Sequence, residues 1–292
     1  MVPFLDPPPL RVGPLTVQVF GLAVGVAVVV GLAIARRRFA RFGLDLAAGE
    51  GMATWLLAGG FLGAHLIAVL FYVPDEVARD PWLLLRVWEH VSSFGGMIGG
   101  LLGGGLYLWV RTPGLRRRWA YLDVAAFAFP FSLAIGRVGC ALVHDHPGRV
   151  TDFPLAVSLQ SEPARDLIAY AYAAAGEAGT LPPPSALSSL GFHDLGLYEA
   201  AYLAAVVLPT LVVLDRKPRP VGFFLCAFAV LYMPARFGLD FLRVSDATYG
   251  GLTPAQWVAS SVLVTVPFVW RRVRPTPSTE IRPRPAEPTA AA

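Results

Sequence analysis

Charge is what this sequence is short of. Asp, Glu, Lys and Arg make up 15% of the 292 residues, against roughly 25% in ordinary soluble domains. A water-soluble globule lacks the charge to cover its surface at that level, so a soluble fold is excluded. Cysteine is scarce too, with only Cys140 and Cys226. Two cysteines rule out a disulfide-rich secreted scaffold, and no C-x-x-C spacing marks a metal site. Both lie in apolar context and read as buried free thiols. A collagen period is missing, and apolar content is too high for a disordered chain.

What is present is apolar sequence, 55% of the chain by the AVILMFWYC count. It falls into seven runs. A helix crosses roughly 30 Å of hydrocarbon with about 20 apolar residues. The runs lie at about Gly13–Ala35, Met52–Val73, Phe94–Val110, Tyr121–Val143, Leu197–Leu214, Val221–Leu242 and Ala255–Trp270. The first is longer than a signal-peptide core and no small-residue cleavage site follows it, so it reads as a retained helix. The expected fold is therefore an all-α polytopic membrane protein of about seven transmembrane helices.

Orientation follows from the loops. Basic residues cluster after runs one, three, five and seven, where 16 of the 24 Lys and Arg stand. The alternate loops carry acids instead, among them Asp75, Glu76, Asp152 and Asp166. The positive-inside rule then places the N-terminus outside and the C-terminus in the cytoplasm. This clustering also makes the net charge of +4 a membrane feature, and no nucleic-acid partner is expected. The organisation predicted is a transmembrane domain over residues 1–274, an extracytoplasmic subdomain within it at 144–196, and a disordered cytoplasmic tail at 275–292. Asp166–Ala175 reads as a short helix in the subdomain.

Some residues are costly where they sit. Arg137 lies in the outer part of run four; an ionisable group inside a span is costly, by about 2.5–3.5 kcal/mol at the helix centre on insertion scales. It either snorkels to the headgroup level or serves a ligand. Gly136 and Gly139 on either side remove bulk beside the guanidinium and favour the second. Arg236, Asp240 and Arg243 are spaced four and three apart, which puts all three on one helical face. Asp240 then neutralises one arginine and leaves the other for an anion, or the three only tie helices together. Arginine is the side chain suited to bidentate phosphate contact. His144-Asp145-His146 at the end of run four is a candidate proton-transfer site, a weaker metal candidate, or a solvated loop start. The glycine run from Gly95 to Gly105 serves close helix packing or the approach of a headgroup to bare backbone at Gly95 and Gly96.

These pieces, in this order, resemble the bacterial prolipoprotein diacylglyceryl transferase family over about Gly13–Trp270. Gly13-Pro14-Leu15 is similar to its Gly-Pro-Leu opening, and Ser93–Gly100 to its His-Gly-Gly-Leu-Ile-Gly segment. Gly136-Arg137-Val138-Gly139 matches the start of its Gly-Arg-x-Gly-Asn-Phe-x-Asn-x-Glu signature. His193 with Leu197-Tyr198-Glu199 resembles its His-Pro-x-Gln-Leu-Tyr-Glu block. Arg236-Phe237 through Asp240, Phe241 and Arg243 resembles its Arg-Phe-x-x-Glu-Phe-x-Arg block, and Leu252-Thr253 with Gln256 its Leu-Thr-x-x-Gln. The chain departs from the pattern where the family has Tyr (Phe20), His (Phe94), two Asn (Cys140 and Val143) and Glu (Asp145).

The resemblance implies transfer of diacylglyceryl from phosphatidylglycerol to the lipobox cysteine thiol of a prolipoprotein, with glycerol-1-phosphate leaving. It implies phosphatidylglycerol, prolipoprotein signal peptides and membrane lipids as partners, and a multi-pass place in the bacterial inner membrane. On this reading Arg137 and Arg243 serve catalysis with His144, Asp145 and His146. Arg137, Gly95, Gly96, Gly139, Arg236, Asp240, Arg243, Tyr198 and Glu199 hold substrate. No cofactor and no metal is expected. The departures keep a second reading open, a non-catalytic relative that binds phospholipid. A related enzyme with another acceptor also remains. An odd span count without an inverted repeat argues against a transporter.

Overall fold

A computed structural model describes all residues except Pro14, Trp88, Pro113, 245–248 and 274–292. The expected tail and the Pro14 of the opening motif lie outside the described residues. Helices are α1 (Val19–Arg41), α2 (Leu46–Ile67), α3 (Pro74–Arg79), α4 (Ser93–Arg111), α5 (Leu115–Val143) and α6 (Glu162–Ala174). They continue with α7 (Pro184–Leu187), α8 (Leu195–Tyr202), α9 (Leu208–Leu214), α10 (Phe223–Leu239) and α11 (Pro254–Val273). Strands are β1 (Leu10–Val12), β2 (Leu15–Val17), β3 (Pro147–Thr151), β4 (Val157–Ser158) and β5 (Gly191–Asp194).

Among the described residues, five helices are long and apolar enough to cross a membrane: Val19–Arg41, Leu46–Phe71, Arg117–Val143, Leu195–Leu214 and Phe223–Leu242. The last-but-one is α8 and α9 made continuous by the π-helical turn Leu203–Val207. The third and seventh predicted runs are helical as α4 and α11, but stand outside those five. The apolar side chains face outward in a way water does not tolerate: Val29 is 67% exposed and Trp109 70%. Lipid tails satisfy such a surface, while the helical backbone satisfies its own polar groups.

Helix starts follow local chemistry. The first helix begins at Val19, not Gly13, because Gly13 takes φ +60 and turns β1 into the antiparallel β2. Asp45 accepts from the Ala47 N–H to start α2, and Ser92 accepts from the Gly95 N–H to start α4. Both meet orphan donors of a first turn.

The described residues divide into two compact units, Met1–Gly31 with Ala125–Val273, and Leu32–Val124. In the second unit α2 and α4 pack through glycines. A Cβ on Gly99 would stand 2.1 Å from the Gly59 carbonyl oxygen, and one on Gly95 2.3 Å from that of Gly63. Only bare backbone allows that approach.

In the first unit the segment predicted as a polar loop with one helix is a small folded layer. Strands β3, β5 and β4 form an antiparallel sheet in that order, and Val2 pairs in parallel with Val157 beyond β4. Helix α6 begins four residues earlier than expected and covers the sheet. Leu159, Ala164, Ile168 and Phe192 are fully buried there. The strands run two to five residues and are broken by Pro and Gly, too short for alternation to show.

Candidate active site

The last turns of α5, the first of α8 and the end of α10 meet in the first unit. Arg137 and Glu199 form an ion pair, Nε to Oε2 at 2.8 Å. Arg236 Nε stands 3.9 Å from the other oxygen, Oε1. Glu199 is 1% exposed. Tyr232 also donates its hydroxyl to Oε1. One buried carboxylate thus serves two guanidinium groups and a phenol. A buried charge persists only with such partners.

Arg236 uses Nη1 to reach Asp240 Oδ1 at 2.9 Å. Asp240 in turn accepts from the Thr253 hydroxyl. Thr253 is the residue before α11, and it exchanges hydrogen bonds with Gln256. The Thr253 N–H donates to Oε1 at 3.0 Å, and the Gln256 N–H donates to Oγ1 at 3.2 Å. This is a reciprocal capping box. It gives a physical reason for the Leu-Thr-x-x-Gln pattern: the cap fixes the hydroxyl that holds Asp240, which holds Arg236.

The structure places the sequence candidates unequally. Arg137, Glu199, Arg236 and Asp240 come together as one network. Arg243 stands three residues beyond Asp240, at the end of the same helical segment. Helix α10 stops at Leu239, a 3-10 turn covers Asp240–Leu242, and Arg243 is extended. Its backbone instead bridges Gly148 in β3. A Cβ on Gly148 would meet the Leu242 carbonyl at 2.5 Å and that of His193 at 2.7 Å, so glycine is what lets the two segments touch.

Gly136 has open space where a Cβ would point, whereas Gly139 packs on α1, 2.6 Å from the Ala23 Cβ. Gly139 thus serves helix contact. Gly95 and Gly96 lie in the other unit against α2; a Cβ on Gly96 would be 3.5 Å from that of Ala64.

The His144-Asp145-His146 cluster separates. His144 has φ +49 and turns its ring inward, where it is 4% exposed. Nδ1 lies 2.5 Å from Asp194 Oδ2 and Nε2 3.0 Å from the Leu5 carbonyl. Phe4 stacks on it at 4.4 Å. Asp194 also caps α8 through the Leu197 N–H at 2.9 Å. His146 stays partly exposed and pairs with Asp145, Nδ1 to Oδ1 at 2.5 Å. Cys140 joins this outer pair, and Arg137 Nη1 lies 3.9 Å from its Sγ. Both cysteines are buried and free.

Tyr198 lies beside Glu199 in α8. Its hydroxyl is 3.0 Å from His193 Nδ1, and Phe153 packs on both rings. Burial lowers the pKa of His193. The roles of Tyr232 and Thr253 were not legible in the sequence. A tyrosine four residues before Arg236 was the available sign, since that spacing shares a helical face.

The chain matches the prolipoprotein diacylglyceryl transferase family over residues 7–271. The phosphatidylglycerol–prolipoprotein diacylglyceryl transferase of Chromohalobacter salexigens is 30% identical over 285 residues, covering 94% of this chain and 95% of that protein. The protein of the same name from Pseudomonas fluorescens is 29% identical over 270 residues, covering 91% and 90%. That from Xanthomonas campestris pv. campestris is 31% identical over 278 residues, covering 91% and 88%. The match runs through the helices that carry Arg137, Glu199 and Arg236, and this polytopic membrane chain belongs to the prolipoprotein diacylglyceryl transferase family.

Proposed function

We propose that this chain transfers diacylglyceryl from phosphatidylglycerol to the thiol of a prolipoprotein cysteine, in the bacterial inner membrane. The observation that carries the reading is the pair of arginines on Glu199, at 2.8 and 3.9 Å. A phosphodiester becomes a leaving group only if its developing charge is stabilised. Guanidinium groups fixed in advance, in a site shielded from water, supply that stabilisation without reorganising. Arg137 engages Glu199 through Nε, and the Nη edge, whose Nη1 makes only a long contact with Cys140 Sγ at 3.9 Å, suits a bidentate contact with phosphate. Arg137 is 17% exposed at its side chain against 2% for Glu199, so the arginine faces the approach and the glutamate anchors it. Signal peptides of prolipoproteins and the surrounding lipids are the partners, with the N-terminus outside.

The direct test supplies purified protein with phosphatidylglycerol and a peptide bearing one lipobox cysteine. The expected product is the peptide heavier by the mass of one diacylglyceryl group. A protein that binds the lipid and forms no adduct under any condition tried would overturn the reading in favour of a non-catalytic relative.

A further inference from the structure

We propose that His146, held by Asp145, takes the proton of the acceptor thiol in this chain. The proposal rests on the transfer reading above for the reaction, and on geometry for the assignment. A thiol attacks as its thiolate, so transfer needs a group that accepts the proton where the sulfur arrives. The chain has five histidines, and their surroundings separate them. His65 has the His90 and Leu83 carbonyls on its two ring nitrogens, both at 3.1 Å, and His144 has Asp194 and the Leu5 carbonyl. Neither has a nitrogen left for a substrate. His90 pairs with Glu76 within the second unit. His193 meets the Tyr198 hydroxyl. His146 has a carboxylate on Nδ1, 2.5 Å from Asp145 Oδ1, and no hydrogen bond among the described residues occupies its Nε2.

The backbone creates this pair at the end of α5. The helix stops at Val143, and His144 at φ +49 reverses the chain and turns its own ring inward. The Asp145 N–H returns to the Cys140 carbonyl at 3.4 Å, and the His146 carbonyl accepts from the Leu195 N–H at 3.3 Å. One ring is thus buried as a brace, while the other stays at the surface of the same turn. The His146 side chain keeps 19% exposure and that of Asp145 34%, so a second chain can reach the imidazole. A ring nitrogen of His146 lies within 4.8 Å of Cys140 Sγ, and Arg137 Nη1 is 3.9 Å from that sulfur. The imidazole therefore stands one side chain away from the guanidinium. A phosphate on Arg137, its glyceryl carbon and an attacking sulfur, with reacting atoms roughly 3–3.5 Å apart, span a distance of that order.

A carboxylate on Nδ1 keeps the ring proton on that nitrogen and the lone pair on Nε2, and it stabilises the imidazolium once formed. The S–H proton passes to Nε2. The thiolate then forms the S–C bond to the glyceryl carbon as the C–O bond to phosphate breaks. The electron pair of that bond leaves with the phosphate oxygen. The imidazolium gives its proton to the released phosphate or to water, and nothing is oxidised or reduced. Acid that protonates the ring removes the acceptor, so turnover falls toward low pH. The titratable and charged groups around the ring are Asp145 on its own turn, Arg137 and Cys140 on α5, Asp194 opposite Pro147, and Arg243 opposite Gly148.

The test uses the full chain in detergent with phosphatidylglycerol and a peptide bearing one lipobox cysteine, each variant compared per folded, monodisperse molecule. His146→Gln should lower kcat by about 10²–10⁴-fold, the range of a general base, with KM for the lipid within a few-fold of wild type. The acid limb of the wild-type pH–rate profile should disappear with it. Asp145→Asn should lower kcat by a smaller factor and move that limb toward lower pH, and Asp145→Glu should restore part of the rate. A peptide with selenocysteine in place of cysteine is ionised at neutral pH and needs no base. It should narrow the gap between wild type and His146→Gln at least tenfold. Turnover of His146→Gln within a few-fold of wild type, or an acid limb that persists in it, overturns the assignment while transfer stands. A loss that the selenocysteine peptide does not narrow does the same, because it makes His146 structural. A loss of that size in His193→Gln, with none in His146→Gln, moves the base to β5 and also overturns it. No adduct from wild type rejects the transfer reading, and this role with it.

Discussion

Arg137 and Glu199 are partners at 2.8 Å, and the carboxylate is the more deeply buried of the two. That order makes Glu199 the anchor. Glu199→Gln keeps the shape but leaves Arg137 and Arg236 facing a neutral amide. Breaking a buried pair from one side costs about 3–5 kcal/mol. The variant should unfold at lower temperature in detergent and lose turnover. Arg137→Lys should keep a folded protein yet lose most of its activity, because an ammonium does not reproduce the planar fork. Full turnover in Arg137→Lys would place the phosphate contact elsewhere.

The glycine contact of α2 and α4 predicts a sharp position dependence. Gly99→Ala puts a methyl 2.1 Å from a backbone oxygen, whereas Gly105→Ala meets nothing within 4 Å. Overpacking of this kind costs about 1–3 kcal/mol, and here the obstacle is backbone, which yields little. Thermal unfolding should show a clear loss for Gly99→Ala and none for Gly105→Ala. Equal stability of the two would mean the helices are not in backbone contact.

Topology is testable by reporter fusion. With the N-terminus outside, a reporter inserted near Thr180, between α6 and α7, should be active only outside the cytoplasm. The motive is the alternation of arginine clusters with acidic loops. A cytoplasmic signal at Thr180 would invert the placement of the site.

His193 gives a pH dependence with a fixed sign. Burial lowers its pKa in the folded chain, while the unfolded chain takes a proton at the ordinary value near 6.5. Below that value the unfolded state binds more protons, so stability falls as pH drops. Its contribution is fully present above about 6.5 and is lost progressively toward the lower folded value. His193→Gln keeps an acceptor for Tyr198 and does not titrate, so its stability should decline less steeply between pH 7 and 5. Parallel declines in wild type and variant would assign the acid sensitivity to other groups.

The helices were legible because a long apolar run is a local signal: each of the seven runs is largely helical, and five of the helices are long and apolar enough to cross a membrane. Arg137, Arg236 and Glu199 were each identifiable as site candidates, through cost in the membrane or through motif. Their meeting on one carboxylate was not, because it depends on how α8 packs on α5 and α10. That α10 ends at Leu239 and passes into a 3-10 turn before Arg243 was not legible, because spacing does not reveal where a helix ends. The strands near β5 were invisible because two to five residues broken by Pro and Gly carry no period. The small layer forms through burial of Ile168 and Phe192, a tertiary event.

The last prediction concerns His144, whose sequence context suggests a proton acceptor and whose surroundings suggest a brace. Asp194 and the Leu5 carbonyl occupy both ring nitrogens, so none is left to take a substrate proton. Asp194 at the same time caps α8, the helix that carries Glu199. His144 therefore ties the N-terminal segment and the end of α5 to the start of α8. His144→Ala leaves a buried carboxylate short of one partner, a loss of about 1–3 kcal/mol. It should lower the unfolding temperature and expose the segment around Leu5 to proteolysis, while turnover per folded molecule stays within a few-fold of wild type. His144→Asn, whose amide can still donate to Asp194, should recover part of the stability. A general base typically contributes about 10²–10⁴-fold. If turnover per folded molecule falls by that factor in His144→Ala while stability and proteolysis do not change, the ring takes the proton after all and the brace is the wrong account.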